Sequence, residues 1–439
     1  MHNTIETKPG KSVTRQLIHK TDFESCIRCG LCLSVCPTYR EFKTETASPR
    51  GRVFLAEKGL AGDLDLTPNL YKQMYACFDC LACREVCPLE VDPARVSVNM
   101  RAEQEQKRPS RWKIPVFDKT LSQPKTLERV TVPLRIYQKS GFRWLVYKLG
   151  LIKWLPEKLK DWESMLPHLT HKPLRTTIPR EMQAQGPEKD RVGFFLGCAQ
   201  NLFFPHVSKA AIRVLNKNGC TVITPAETQC CGMPMRSYGK RESAEKMAMH
   251  NIEVFEQLDI SVIVTDCATC GSQLKDYPDL LRNCPGWKDR ALNFSQKVRD
   301  ISEFLTEIPI TIPRGVLSEQ VTYHDPCHLR RGQNVWQQPR ELLQSINGLK
   351  LTELKESDWC CGSAGSQLIS HHRTSINVLQ RKMDHLKETN ADIIASGCPG
   401  CMMQLQVGIR RENLKVKVMH PIELLDRAYA SEPLVNTKK

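Results

Sequence analysis

The sequence predicts an α+β protein of several domains: a mainly α-helical N-terminal module, then an α/β unit present in two copies. Three observations carry this reading. At 439 residues the chain is longer than one ordinary core supports. Two cysteine ladders of identical spacing lie between Cys26 and Cys87. A longer cysteine pattern, Cys198 to Cys270, is repeated from Cys327 to Cys401. The expected division is 1–104 for the first module, 105–189 for a basic, aromatic-rich linker or docking segment, and 190–312 and 313–439 for the two copies.

Composition narrows the class. The chain is 41% hydrophobic and 25% charged, as a globular protein should be. The start, MHNTIETKPGKSVTRQ, has no apolar stretch of the secretory kind, and no window approaches the ~18 apolar residues of a membrane span. A cytoplasmic location is expected, with peripheral attachment to the inner face of the cytoplasmic membrane left open. Twenty cysteines in such a chain argue for metal or redox chemistry. The net charge of +15 is uneven: residues 101–180 hold 18 Lys+Arg against 7 Asp+Glu. No helix-turn-helix, zinc-finger or RNA-recognition signature goes with that charge, so nucleic acid is not an expected partner.

In the first module, Cys26-x2-Cys29-x2-Cys32-x3-Cys36-Pro37 is followed by Cys77-x2-Cys80-x2-Cys83-x3-Cys87-Pro88. This is the bacterial ferredoxin run, twice, and it predicts two [4Fe–4S] clusters. Three thiolates of one tight loop reach one cluster and the fourth crosses to the other. The expected sets are Cys26, Cys29, Cys32 with Cys87, and Cys77, Cys80, Cys83 with Cys36. Zinc needs only paired C-x2-C motifs and leaves the x2-x2-x3-Pro spacing unexplained. Between the ladders, Ser48 reads as an N-cap and Pro49 as the first residue of a helix. Arg28, Arg50, Arg52 and Arg84 lie within or between the ladders. They would raise a cluster potential by favouring its reduced form, or are simply solvated.

Residues 103–185 lack cysteine and carry Trp112, Trp144, Trp154 and Trp162. The stretch 134–162 mixes bulky apolar residues with Arg135, Lys139, Arg143, Lys148, Lys153, Lys158 and Lys160. A basic amphipathic helix of this kind could lie on a membrane surface, cover a partner subunit or pack on its own chain.

The repeat reads Cys198, 31 residues, Cys230-Cys231-Gly232, 34 residues, Cys267-x2-Cys270. Its second copy reads Cys327, 32 residues, Cys360-Cys361-Gly362, 35 residues, Cys398-x2-Cys401. RVGFFLGC and QVTYHDPC each predict a buried strand ending at the first cysteine, and SVIVTDC and ADIIASGC predict strands ending at the C-x2-C. Helical patterns alternate with them, one of them closed by Gly219, so a parallel sheet follows, with all five cysteines of a copy on loops at one rim. Adjacent Cα atoms sit only ~3.8 Å apart. A relaxed disulfide wants ~4.4–6.8 Å, so the CC pairs suit a shared metal core better than a cross-link. Gly232 and Gly362 would let the backbone pass close to that core. Four thiolates satisfy a structural zinc or a cubane, and five leave one to bridge irons or stand spare. Cys220 and Cys284 have no counterpart in the other copy and read as a core thiol and a loop thiol. His324 and His328, expected to be exposed beside Cys327, could supply protons.

Two ferredoxin ladders followed by two CCG repeats resemble a group of iron–sulfur oxidoreductase subunits. The group includes those of glycolate oxidase, D-lactate dehydrogenase and anaerobic glycerol-3-phosphate dehydrogenase, and the D subunit of heterodisulfide reductase. CIRCGLCLSVCPTY…SPRGR, CFDCLACREVCP and YHDPCHL are most similar to the glycolate/D-lactate branch. Many glycolate oxidase subunits lack the first cysteine of the first C-x2-C, which this chain has as Cys267. The resemblance implies further [4Fe–4S] clusters of non-cubane type. Cys198, Cys230, Cys231, Cys267 and Cys270 would hold one, and Cys327, Cys360, Cys361, Cys398 and Cys401 the other. Zinc in one of the two sites stays open.

Removing two electrons from a hydroxyacid needs a flavin or nicotinamide, and the chain has no G-x-G-x-x-G fingerprint. The expected role is an electron-transfer subunit of a flavin-dependent 2-hydroxyacid dehydrogenase acting on glycolate or D-lactate. Its partners would be an FAD-containing dehydrogenase subunit and a quinone or another redox carrier. The alternatives are a heterodisulfide reductase-like subunit that reduces a disulfide, and a zinc-stapled interaction module.

Overall fold

The computed structural model describes residues 23–154, 163, 169–365 and 370–432. Residues 23–107 are helical, with no strand among them. The main helices are Pro37–Phe42, Pro49–Ala61, Pro68–Tyr75 and Pro93–Lys107. Each begins with a proline, whose missing N–H costs nothing in a first turn, and each is capped by the residue before it. Ser48 Oγ accepts from Gly51 N at 2.9 Å, as the sequence predicts. Val53, Ala56, Leu70, Met74, Val96 and Met100 form the core between these helices.

The region 114–154 forms short helices, Pro124–Val130, Val132–Lys139 and Phe142–Lys148 among them. The single amphipathic helix expected here is broken, because Gly141 and Gly150 take left-handed φ of 79° and 67°. Ile136, Phe142, Trp144, Leu149 and Trp154 remain exposed, beside exposed Lys139 and Lys148. Residues 155–162, which complete the predicted stretch, lie outside the described residues. Among the described residues no helix is long and apolar enough to cross a membrane.

Two sheets follow. The first contains β1 (Glu181–Met182), β2 (Asp190–Phe194), β3 (Cys220–Ile223), β4 (Val262–Thr265) and β5 (Val298–Asp300), in the order β1-β3-β2-β4-β5. The second contains β6 (Gln320–Tyr323), β7 (Lys350–Glu353), β8 (Ile393–Ala395) and β9 (Lys417–Met419), in the order β7-β6-β8-β9. With β1 set aside the two orders are the same, and every pairing in them is parallel. The register agrees as well: Val192 lies opposite Val262 and Val321 opposite Ile393. The cysteine repeat is therefore a repeat of structure. The helix Pro205–Lys217 ends where predicted, with Gly219 at φ 88° just beyond it.

The two copies share one core, in which Val192, Phe194 and Val207 join Val321, Tyr323, Ile393 and Leu424. The helix Pro205–Lys217 packs on Pro421–Ala430, and Arg213 Nη2 meets Asp426 Oδ2 at 2.6 Å across that contact. Arg101, buried on the helix Pro93–Lys107, ties the N-terminal module to the first copy. Its guanidinium donates to Met74 O, to Cys77 O at 2.8 Å and to Ser237 O at 2.8 Å.

Candidate metal centres

Four groups of cysteines assemble in the fold. In the N-terminal module one pocket is lined by Cys36, Cys77, Cys80 and Cys83. A second is lined by Cys26, Cys29, Cys32 and Cys87, and Cys83 lines both. Each ladder thus sends its fourth cysteine to the other ladder's loop. Cys36 does so as the N-cap of the helix that Pro37 opens, accepting from Tyr39 N at 3.5 Å. The remaining lining is mostly apolar, and an all-sulfur donor set in a cavity of this kind fits an iron–sulfur group.

The two cavities differ in access. Cys29 is exposed and Cys26, Cys32 and Cys87 are half-buried, whereas Cys36, Cys77, Cys80 and Cys83 are buried. Burial raises the Cys32 thiol to about 11, so a cation is needed to hold it as thiolate. The arginines differ too. Arg28 pairs with Glu57, and Arg50 with Glu45 at 2.8 Å. Arg52 is buried at the edge of the inner cavity, where Nη2 donates to Thr38 Oγ1 at 2.8 Å and Nε to Gln73 O at 2.9 Å. Thr38 Oγ1 in turn lies 3.2 Å from Cys36 Sγ.

In both repeats the five cysteines converge at the carboxyl ends of the strands, where parallel sheets place their sites. Cys198 and Cys327 follow β2 and β6, Cys267 and Cys398 follow β4 and β8, and the CC pairs lie beyond β3 and β7. The free thiols are hydrogen-bonded in series: Cys198 with Cys230, Cys230 with Cys231, Cys231 with Cys270, and Cys270 with Cys267. The second copy repeats the order as Cys327, Cys360, Cys361, Cys401 and Cys398. Hydrogen bonds from Cys230 and Cys270 pull Cys231 down to about 5 against its burial, and those from Cys360 and Cys401 pull Cys361 well below the ordinary thiol value. In each copy the neighbouring thiols lower the second cysteine of the CC pair, and in the second copy they lower Cys398 as well.

The series does not stop within a repeat. The thiol of Cys267 is hydrogen-bonded with that of Cys398, joining the two sets, and Cys80 of the inner ladder with Cys360. Ala268 N also donates to Gly397 O at 3.0 Å, and Thr269 Oγ1 lies 3.3 Å from Cys398 Sγ. Nothing in the sequence spacing announces either junction.

Two expectations change, those for His324 and His328, while Gly232 and Gly362 take left-handed φ of 92° and 87°, which glycine adopts without strain. A Cβ on Gly362 would meet Ser375 O at 2.4 Å, and one on Gly232 would meet Ala244 at 3.4 Å. His324 is 1% exposed, because it extends the buried end of β6, where its N–H donates to Ala395 O at 2.9 Å. Burial holds its imidazole down to about 3. His328 is half-buried, with Nδ1 3.5 Å from Cys327 Sγ. Cys220 is indeed a buried strand thiol and Cys284 a half-buried loop one.

Residues that sequence reasoning missed hold the CC loops. Asn251 Nδ2 donates to Cys230 O at 3.1 Å, and Asn251 Oδ1 accepts from Gln229 N at 2.8 Å. Ala244 and Ser375 face the two glycines, and two helical turns on from them stand Asn251 and Lys382. Lys382 is fully buried and donates to Ser357 O at 3.2 Å. Burial lowers it to about 8. Each of the two reads in the sequence as an ordinary polar residue on a helix.

Known proteins share this architecture. A 4Fe-4S dicluster domain model matches residues 22–91, and a cysteine-rich domain model matches twice, at 192–275 and 321–406. Between them, 109–166 match the linker region of glycolate oxidase iron-sulfur subunits. The probable glycolate oxidase iron-sulfur subunit of Bacillus subtilis is 33% identical over 430 residues, covering 96% of this chain and 97% of that one. The chain belongs to the glycolate oxidase iron–sulfur subunit family. One chain of the fumarate reductase (CoM/CoB) from Methanothermobacter marburgensis is 29% identical over 93% of this chain and 72% of its own length. Lactate utilization protein A of Oceanobacillus iheyensis is 32% identical over 54% of this chain and 96% of its own. This iron–sulfur subunit is thus an electron-transfer component of an oxidoreductase, with more than one iron–sulfur cluster.

Proposed function

We propose that this subunit carries electrons from an FAD-containing dehydrogenase, which oxidises glycolate or D-lactate, to a quinone or another redox carrier. Two [4Fe–4S] clusters are assigned to the ladder sets, one to Cys26, Cys29, Cys32 and Cys87, the other to Cys77, Cys80, Cys83 and Cys36. One further cluster is assigned to each repeat, on the five cysteines already named for it. When bound, such clusters supply one-electron chemistry.

The observation that carries this reading is the line of hydrogen-bonded thiols from Cys80 through Cys360, Cys361, Cys401, Cys398, Cys267, Cys270, Cys231 and Cys230 to Cys198. Three of the four cysteine sets meet along it, and the fourth shares Cys83 with its neighbour, since that residue lines both pockets. A structural staple has no need of such a line. Apart from Cys198 at its end, the cysteines of the line and of the inner ladder are buried, which suits a conduit better than a substrate pocket.

The test is made on the complex. Glycolate or D-lactate added anaerobically to the subunit with its flavoprotein partner should bleach the iron–sulfur absorbance, and a quinone should restore it. Oxidation of either acid by the lone subunit would overturn the assignment of the flavin to a partner. One observation favours a second reading, disulfide reduction. Cys327 is only half-buried and has His328 beside it, so a disulfide could be met there. Reoxidation of the reduced subunit by a disulfide, and not by quinone, would favour that reading.

A further inference from the structure

The two repeats are not chemically equivalent, and the difference lies in one side chain. We propose that His324 Nε2 is a nitrogen ligand of the iron–sulfur group held by the second repeat. The proposal rests on the reading that this repeat binds such a group.

The geometry supports it in three steps. A ring nitrogen of His324 and the sulfurs of Cys361 and Cys401 lie within 4.8 Å of one another. His324 Nδ1 is 3.0 Å from the carbonyl oxygen of Ser357. A carbonyl only accepts, so Nδ1 carries the proton and Nε2 keeps its lone pair. Nε2 is buried and has no hydrogen-bond partner. A buried orphan nitrogen is costly unless something binds it, and what lies beside this one is a pair of thiols already placed to hold metal.

The arrangement around the ring is that of a metal-ligating histidine, whose far nitrogen is fixed by a backbone carbonyl. The residue carrying that carbonyl is itself held. Ser357 Oγ donates to Asp325 Oδ2 at 2.7 Å, and Arg340 donates to both carboxylate oxygens of Asp325 at 2.8 Å. The first repeat has none of this. Its residue in the place of His324, three before the first cysteine, is Phe195, fully buried and stacked on Phe255 with centroids 6.2 Å apart.

With His324 on an iron, one of the five thiolates is left off it as the spare. Where histidine replaces cysteine on a cluster iron the potential rises, because a neutral ligand leaves the reduced form less negative. The same logic puts the second repeat's group above the first repeat's in potential, so the two share a fold without sharing a redox level.

Pulsed EPR on the holoprotein in reduced and oxidised states tests this. A nitrogen coupling should be present, should change on 15N-histidine labelling, and should vanish in His324→Phe, which copies the first repeat. His324→Gln should lose it as well, should packing suffer in the first variant, whereas His328→Gln should keep it. The midpoint assigned to the second repeat should fall in both His324 variants. No histidine coupling in the native protein, or a coupling that survives in His324→Phe, overturns the proposal. Iron assay keeps the two levels apart. Iron missing from the second repeat of native protein sinks the reading beneath, while full iron without nitrogen coupling sinks only the role of His324.

Discussion

Thr269, in the first C-x2-C, places its hydroxyl 3.3 Å from the sulfur of Cys398, the opening cysteine of the second. Cys267 bonds the same sulfur, and together with Cys401 it holds Cys398 well below the ordinary thiol value. One repeat therefore tunes a ligand of the other. Thr269→Val removes a hydroxyl donor that favours the more negative, reduced state. The second repeat's midpoint should fall by some tens of millivolts, given that about 59 mV is a tenfold change for one electron. Iron content should not change. A redox titration superposable on the native one would refute the coupling.

The ladder arginines should separate in the same kind of titration. Arg52 is buried at the inner cavity and bonds Thr38, which touches Cys36. Arg50 is neutralised by Glu45 in a largely solvated pair. Arg52→Gln should lower the inner ladder's potential clearly, and Arg50→Gln should move either ladder little. Equal shifts would mean that burial is not what matters.

Gly232 and Gly362 make a matched pair with unequal surroundings. Left-handed φ alone makes alanine cost about 1–2 kcal/mol at each. At Gly362 the new Cβ also meets Ser375 O at 2.4 Å, against 3.4 Å to Ala244 at Gly232. Gly362→Ala should lose more stability in denaturant and should lower the iron content first. Equal losses in the two variants would show that the helix next to Gly362 yields freely.

Asp300 caps the helix Ile301–Glu307 from a fully buried position, and burial raises its carboxyl from 3.8 to about 7. A raised acid favours the folded state only while it is protonated. Its cost therefore grows as pH climbs from about 4 to about 7 and stays constant above, at roughly 1.4 kcal/mol for each unit of difference. Asp300→Asn keeps an N-cap and cannot ionise. Its stability advantage over the native chain should be larger at pH 8 than at pH 5.5 in urea unfolding. An advantage independent of pH would mean that Asp300 ionises freely in the fold.

Most of the scaffold was legible because cysteine spacing and strand patterns are local. The ladder period grouped Cys36 with Cys77, Cys80 and Cys83, and the same four line one cavity. The repeat period anticipated two sheets of matching order. What the pattern missed is how separate units face one another. No spacing relates Cys80 to Cys360 or Cys267 to Cys398, since those contacts depend on packing between domains. His324 was misjudged for a related reason. Its place beside the rim cysteine Cys327 suggested exposure, yet here it continues β6 into the interior. The stretch 134–162 misled through its apolar period, which ignores the two glycines that break it.

The graded exposure of the four cysteine sets has a consequence of its own. Molecular oxygen or peroxide arriving from solvent meets the site of Cys26, Cys29, Cys32 and Cys87 first, at the exposed sulfur of Cys29. The inner ladder's sulfurs are buried, and the two repeats offer solvent only half-buried Cys198 and Cys327, so an oxidant is expected to reach them later.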